Sequence, residues 1–206
     1  MTYDNSPVAV KNQIATLFQK IGEGVKMDYG CPGSSTKTLN AAGYLALKGY
    51  KVSSAINPDT PLSPANPLFA SSALIDYQEN WVINSLRRKR PVMIEGCAFK
   101  SKVEQKILGI TYNTYWQYNK CHSWVIDGYL KKNVMYYYYL TNGNITSLYE
   151  PAVFFHSNWG WSGDKNGYQV TDIFTHSKAT PLESKTKSGE EGNYQYRLKI
   201  IPNIYK

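Results

Sequence analysis

Residues 121–170 read CHSWVIDGYLKKNVMYYYYLTNGNITSLYEPAVFFHSNWGWSGDKNGYQV, and no other stretch restricts the fold as much. Aromatic and β-branched runs (Trp124 to Ile126, Val134 to Leu140, Ala152 to Phe155) alternate with Asp127-Gly128 and Asn142-Gly143-Asn144. Short runs of that kind, punctuated by Asp-Gly and Asn-Gly, predict antiparallel strands joined by tight reversals. Two reversals bring the strand opened by His122 beside the one that ends in Asn158-Trp159. A histidine working as a base needs a partner that fixes its tautomer and ring orientation. An Asn carboxamide can accept the proton of one ring nitrogen, and an adjacent indole can keep water off that bond. The plain alternative is that His122 merely starts a strand and the tryptophans fill a core.

Composition bounds the class. The chain has 206 residues with 42% hydrophobic content, enough for one sizeable core, and no linker divides it, so residues 1–206 read as a single domain. The net charge is +8, but the basic residues are dispersed apart from Arg87-Arg88-Lys89-Arg90. That cluster reads as the solvated last turn of a helix, where cations complement the dipole. No zinc-ligand spacing, phosphate-binding glycine loop or nucleic-acid motif is present, so no metal, cofactor or nucleic-acid partner is expected. Nor is a membrane partner: no run is long enough to cross a bilayer, and Met1-Thr2-Tyr3-Asp4 leads into polar residues rather than a signal peptide.

Along the chain, Ser6-Pro7 predicts a helix start, with Ile14, Leu17, Phe18 and Ile21 as one apolar stripe against a core and Gly22 and Gly24 as its end. A second helix begins near Ser35 or Thr36 and turns Leu39, Ala42, Ala46 and Leu47 inward, and Lys51 to Ile56 is a strand. Residues 57–70, with four prolines, are a loop. Asp76 and Glu79 resemble the capping arrangement of a third helix that buries Ile75, Val82, Ile83 and Leu86. Pro91 to Gly96 is a strand, Thr171 to Asn193 a mobile polar loop, and Tyr194 to Ile201 the last strand.

HSWVIDGY followed by FHSNWGWSGDKNGYQV resembles the histidine and asparagine segments of the streptopain family of papain-like cysteine peptidases. VKMDYGCPGSSTKTLNAA and NYQYRLKIIPNI agree in the family's order, so the resemblance covers most of the chain. It implies an α+β papain-like fold, helices packed on an antiparallel sheet, and thiol-dependent cleavage of a peptide or protein substrate. His122 matches the catalytic histidine, Asn158 the residue that orients it, and Trp159 the indole over that contact. The family places its cysteine nucleophile upstream of the MDYG stretch, so the fold is expected to be incomplete at the N-terminus and to lack its nucleophile. Residues 97–120 exceed the family's usual interval and read as an insertion, either a β-hairpin beside the cleft or a surface embellishment. The parent family is exported, which implies a secreted or cell-surface protein.

Cys31, Cys97 and Cys121 are an odd number with no metal or redox spacing, and no disulfide framework is expected. As substitute nucleophiles, Cys121 points away from the side His122 faces and Cys97 precedes no helix, which leaves Cys31 in a turn as the least unsuitable. His156 is expected to pack in the core, and His176 to be solvated. Two readings stand: a C-terminal portion of a peptidase, or a non-catalytic module that keeps the cleft. The absent segment should leave an apolar scar around His122, Trp124 and Trp159, covered by self-association or by a segment supplied in trans.

Overall fold

The computed structural model describes residues 7–30, 33–66, 69–160, 163, 165–171, 174–175 and 193–206. In chain order these form α1 (Val8–Gly24), β1 (Asp28–Gly30), β2 (Gly33–Ser35), α2 (Thr38–Leu47), β3 (Lys51–Val52), α3 (Phe69–Ala73), β4 (Ile75–Asp76) and α4 (Glu79–Arg87). Then follow β5 (Val92–Ile107), β6 (Ile110–Tyr139), β7 (Ile145–Asn158), β8 (Gly167–Val170), β9 (Phe174–Thr175), β10 (Asn193–Tyr194), β11 (Tyr196–Ile201) and β12 (Ile204–Tyr205). The main sheet has six strands in the order β4-β11-β5-β6-β7-β8, every neighbour antiparallel. Helices on an antiparallel sheet make the expected α+β class.

Strand alternation divides the core between the two sheet faces. Ile94, Trp124, Ile126, Phe155 and Ile200 pack with Val82 and Ile83 of α4 on one side. Met93 and Ile201, each one position along, join Ala42, Phe69, Ala73 and Val52 on the other. Each fully buried side chain of this size stabilises by about 1.5–3 kcal/mol.

β6 is the longest element at 30 residues, about 100 Å of extended chain. Asp127-Gly128 does not end it: the register with β7 shifts between Ile126 and Gly128, so the dipeptide forms a bulge rather than a reversal. Residues 97–120 do form a hairpin, Phe99 pairing with Asn119 and Ile107 with Ile110. A second hairpin turns at Asn142-Gly143-Asn144, where the Asn142 side chain accepts from the Asn144 N–H at 3.0 Å.

Several expectations change. Cys97 and Cys121 face each other across β5 and β6 and are joined by a disulfide. Long antiparallel pairing brought two cysteines with no diagnostic spacing into register, while Cys31 lies outside the described residues. In α1, Leu17 and Phe18 are 57% and 66% exposed, so its apolar stripe meets solvent instead of a core. The helix does end at Gly24, and both Gly22 and Gly24 also admit the rings of Tyr29 and Tyr44, which an added methyl would overlap. Leu47 is 78% exposed and Leu45 packs inward in its place. β3 stops at Val52, and α3 opens inside the expected loop.

Asp76 is a strand residue facing Lys199 rather than a cap, and α4 starts at Glu79 behind Gln78. Of the arginine cluster, Arg88 and Arg90 both grip Asp59, at 2.7 and 2.9 Å, holding its carboxyl below the usual range. Arg90 also lies 3.8 Å from the Tyr205 ring centre, so it is a packing residue and not a solvated one. Residues 176–192, including His176 and most of the expected mobile loop, lie outside the described residues.

The disulfide closes a sequence separation of 24 residues. Its loss through Cys121→Ser or reduction should destabilise the chain by about 3 kcal/mol. Urea unfolding should show a lower midpoint, with a slope that rises as the unfolded chain loses its crosslink, and a midpoint indifferent to reductant would mean the two cysteines are not joined.

Candidate active site

His122 lies on β6 directly across from Gly96 of β5. The missing side chain at Gly96 makes room there: an added methyl would sit 2.7 Å from Leu198 Cδ2 and 3.3 Å from both the Trp124 ring and Tyr194 Cβ. The imidazole is enclosed by rings, with centroids 5.9 Å from Trp159, 6.3 Å from Trp124 and 5.8 Å from Tyr194. Trp124 and Trp159 lie 4.7 Å apart and are only 2% and 1% exposed, covered by Phe174 and Tyr194. The expected apolar scar around them is therefore absent, because residues from the end of the chain fold back over the indoles.

The Nε2 atom of His122 is 3.3 Å from the backbone oxygen of Trp159. A carbonyl only accepts, so this contact assigns the proton of the neutral ring to Nε2 and leaves the lone pair on Nδ1. The Trp159–Gly160 peptide is held from its other side. The Asn158 Oδ1 accepts from the Gly160 N–H at 3.1 Å, and the Asn166 Oδ1 accepts from the Trp159 N–H at 3.0 Å. Gly160 has φ +80°, a left-handed conformation that favours glycine, so the turn behind the carbonyl depends on it.

Asn158 is thus placed differently from His122. It pairs across from Val125, three positions along β6 from the histidine, and alternation sends the two side chains to opposite faces. His122 and Trp159 meet, but through the tryptophan's backbone as well as its indole. The signal for this was present in the sequence: Asn-x-Gly is the pattern of an Asx turn, in which the side chain binds the amide two residues on. The covering role of Phe174 and Tyr194 had no such signal.

His156 is not core packing. Its Nδ1 lies 2.5 Å from Asp127 Oδ1, its ring meets the edge of Tyr168 at 5.2 Å, and its side chain is 30% exposed. It shares the Asn158 face by alternation, and the bulge in β6 brings Asp127 within reach.

A cavity of about 690 Å³ opens beside His122, bordered by Ser123, Glu95, Arg197, Lys37 and the Cys97–Cys121 disulfide. The Thr38 and Ser123 hydroxyls, 2.8 Å apart, tie α2 to β6 at this wall. Only the root of the 97–120 hairpin borders the cavity; its outer strands do not. Among the described residues no group of three His, Cys, Asp or Glu side chains could hold a metal ion. None of their helices is long and apolar enough to cross a membrane. Neither described cysteine has a free thiol, since both form the disulfide.

A neutral imidazole with Nε2–H held by a carbonyl and Nδ1 as its basic nitrogen can take a proton from a nucleophile and return it to a leaving group. No curated protein and no solved structure matches the chain. The model of the Peptidase C10 family matches residues 2–169, a span that contains β5, β6 and β7 together with His122, Asn158 and Trp159. Carried by a match over most of its length, this chain belongs to the Peptidase C10 family, the streptopain family of papain-like cysteine peptidases.

Proposed function

We propose that the chain carries the general-base half of a thiol-dependent peptidase, with His122 as base and the Trp159 carbonyl as the group that orients it. The observation behind this reading is the Nε2 contact with that carbonyl. In the proposed cycle Nδ1 removes the proton from a cysteine thiol, and the thiolate attacks the carbonyl carbon of the scissile peptide. The imidazolium then protonates the departing amine, leaving a thioester. Water gives a proton to Nδ1 as it attacks that thioester, which releases the new carboxylic acid and restores the thiol. The Trp159 carbonyl stabilises each imidazolium by accepting Nε2–H. Trp159 and Tyr194 limit water around it, which strengthens the bond.

Asn158 has a positioning role in this reading. Its carboxamide holds the Gly160 N–H, and the same planar peptide unit then presents the Trp159 oxygen to the histidine. The orienting function inferred from the sequence is kept, but it acts through one peptide bond. In this reading neither Cys31 nor the disulfide supplies the thiol, which comes from a separate segment that packs against the described fold. The uncovered stripe of α1, including Leu17 and Phe18, offers such a segment a surface to pack on. The disulfide fits an exported protein, since such bonds persist in oxidising compartments.

One observation favours the second reading, a non-catalytic module that retains the cleft: both described cysteines are locked in a disulfide. Adding a fragment of a related peptidase that carries the upstream cysteine separates the two, since turnover of casein under reducing conditions should follow only for the peptidase portion; the chain alone is the control. That control should show no turnover, and turnover abolished by an alkylating agent and by Cys31→Ser would place the nucleophile at Cys31 instead.

The base assignment is tested by nitrogen NMR of the His122 ring. The neutral form should carry its proton on Nε2, and the opposite tautomer would remove the proposed orientation. Asn158→Ala should speed exchange of the Nε2 proton by up to roughly 10-fold, the equivalent of the net worth of one hydrogen bond. Asn158→Asp, which keeps the acceptor oxygen, should largely restore protection. Equal protection in all three proteins would deny Asn158 a positioning role.

A further inference from the structure

Beyond Leu130, β6 and β7 leave the body of the protein as a two-stranded ribbon, Lys131 pairing with Val153 and Tyr139 with Ile145. β5 covers the other edge of β6 only as far as Ile126, and among the described residues no strand pairs with that edge from Lys131 to Tyr139. No charged residue occurs between Asn133 and Tyr149. Tyr137, Tyr139, Ile145 and Tyr149 are 63%, 80%, 60% and 64% exposed. Two strands alone are marginal in water, and an open edge is a template for another strand.

The two edges of the ribbon differ. That of β7 carries Glu150 and Pro151, a charge and a residue without an N–H, both of which discourage strand addition. That of β6 carries neither from Asn133 to Leu140. We propose that this edge pairs with the same edge of a second copy of the chain, antiparallel about a two-fold axis at Tyr136 or Tyr137. The result is a continuous four-stranded sheet, β7-β6 of one protomer joined to β6-β7 of its partner.

Charge selects this occupant. A chain of net charge +8 repels its own copy over most of its surface, and residues near a two-fold axis meet themselves. A charge-free edge is where two copies can approach without setting cation against cation. With the axis at either tyrosine, Lys131 and Lys132 fall opposite the uncharged Leu140–Gly143 stretch of the partner. The axis lies about 46–50 Å along β6 from His122, at roughly 3.3 Å per residue, so pairing leaves the cavity open. The inference is independent of the peptidase reading.

Light scattering on the intact chain under non-reducing conditions tests it, in a Cys31→Ser background. The expected mass is twice the 23.4 kDa of one chain. Tyr137→Lys places like charges near the axis and should return the mass to 23.4 kDa with an unchanged far-ultraviolet dichroism spectrum. If that variant does not fold, cysteine cross-linking decides. Tyr136→Cys or Tyr137→Cys should oxidise to a covalent dimer, whereas Tyr149→Cys, on the guarded strand, should not. A strict monomer at the highest attainable concentration overturns the proposal, as does cross-linking that is equally efficient at Tyr149→Cys. So would a monomer whose ribbon amides gain exchange protection only when casein is added, since the edge would then take a substrate strand.

Discussion

β6 is paired on both sides, by β5 along its first half and by β7 along its second, and the site depends on the short stretch where the two pairings overlap. There Val125 and Ile126 have partners on both neighbours, so His122, Trp124 and Ile126 are fixed in register with Gly96 and Ile94 on one side and Ser157 and Asn158 on the other. A slip of one residue would turn Trp124 and His122 to the opposite face and separate the imidazole from the Trp159 carbonyl. The bulge at Asp127 lies just past the overlap. It absorbs the extra residue where β7 continues and β5 does not, and it frees Asp127 to reach His156.

The histidine is held by a peptide group whose other end is held by a side chain. A backbone acceptor has fewer rotatable bonds than a carboxamide on its own stem, so less entropy is lost in keeping it aimed. The arrangement also explains how a polar contact sits at the rim of an aromatic cluster. Trp159 supplies the acceptor from its backbone while its indole packs at a tilt against Trp124 and Tyr194. One residue thus contributes both the hydrogen bond and part of the apolar enclosure that protects it.

Among the described residues apolar side chains are left open in several places, two of them extended and neither at the indoles. One is the α1 stripe, and the other comprises the two hairpin arms, whose exposed residues include Leu108 and Tyr139 at 98% and 80%. Helical periodicity identifies a stripe but does not say what covers it. In α1 the stripe formed as its spacing implies, while Leu17 and Phe18 on it stay exposed. Strand alternation has the same limit in the ribbon, where both faces carry aromatic side chains.

What the sequence determined by itself was local or periodic. The hairpin through Asn142-Gly143 and the helix burying Val82 and Ile83 follow from turn chemistry and periodicity over a few residues, whereas the strand expected to open at His122 begins at Ile110. The family pattern around His122 and NWGW is of the same kind, being read from contiguous segments. Only the tertiary structure decided which groups meet across those segments. It joined Cys97 to Cys121 by running β5 opposite the first half of β6, and it folded Phe174 and Tyr194 over the tryptophans. It also sent Asn158 to the far face of the sheet, where its carboxamide meets the Gly160 N–H instead of the imidazole. Such contacts depend on register and strand order, which are set by the summed packing of many distant residues, and no local run of sequence encodes that sum.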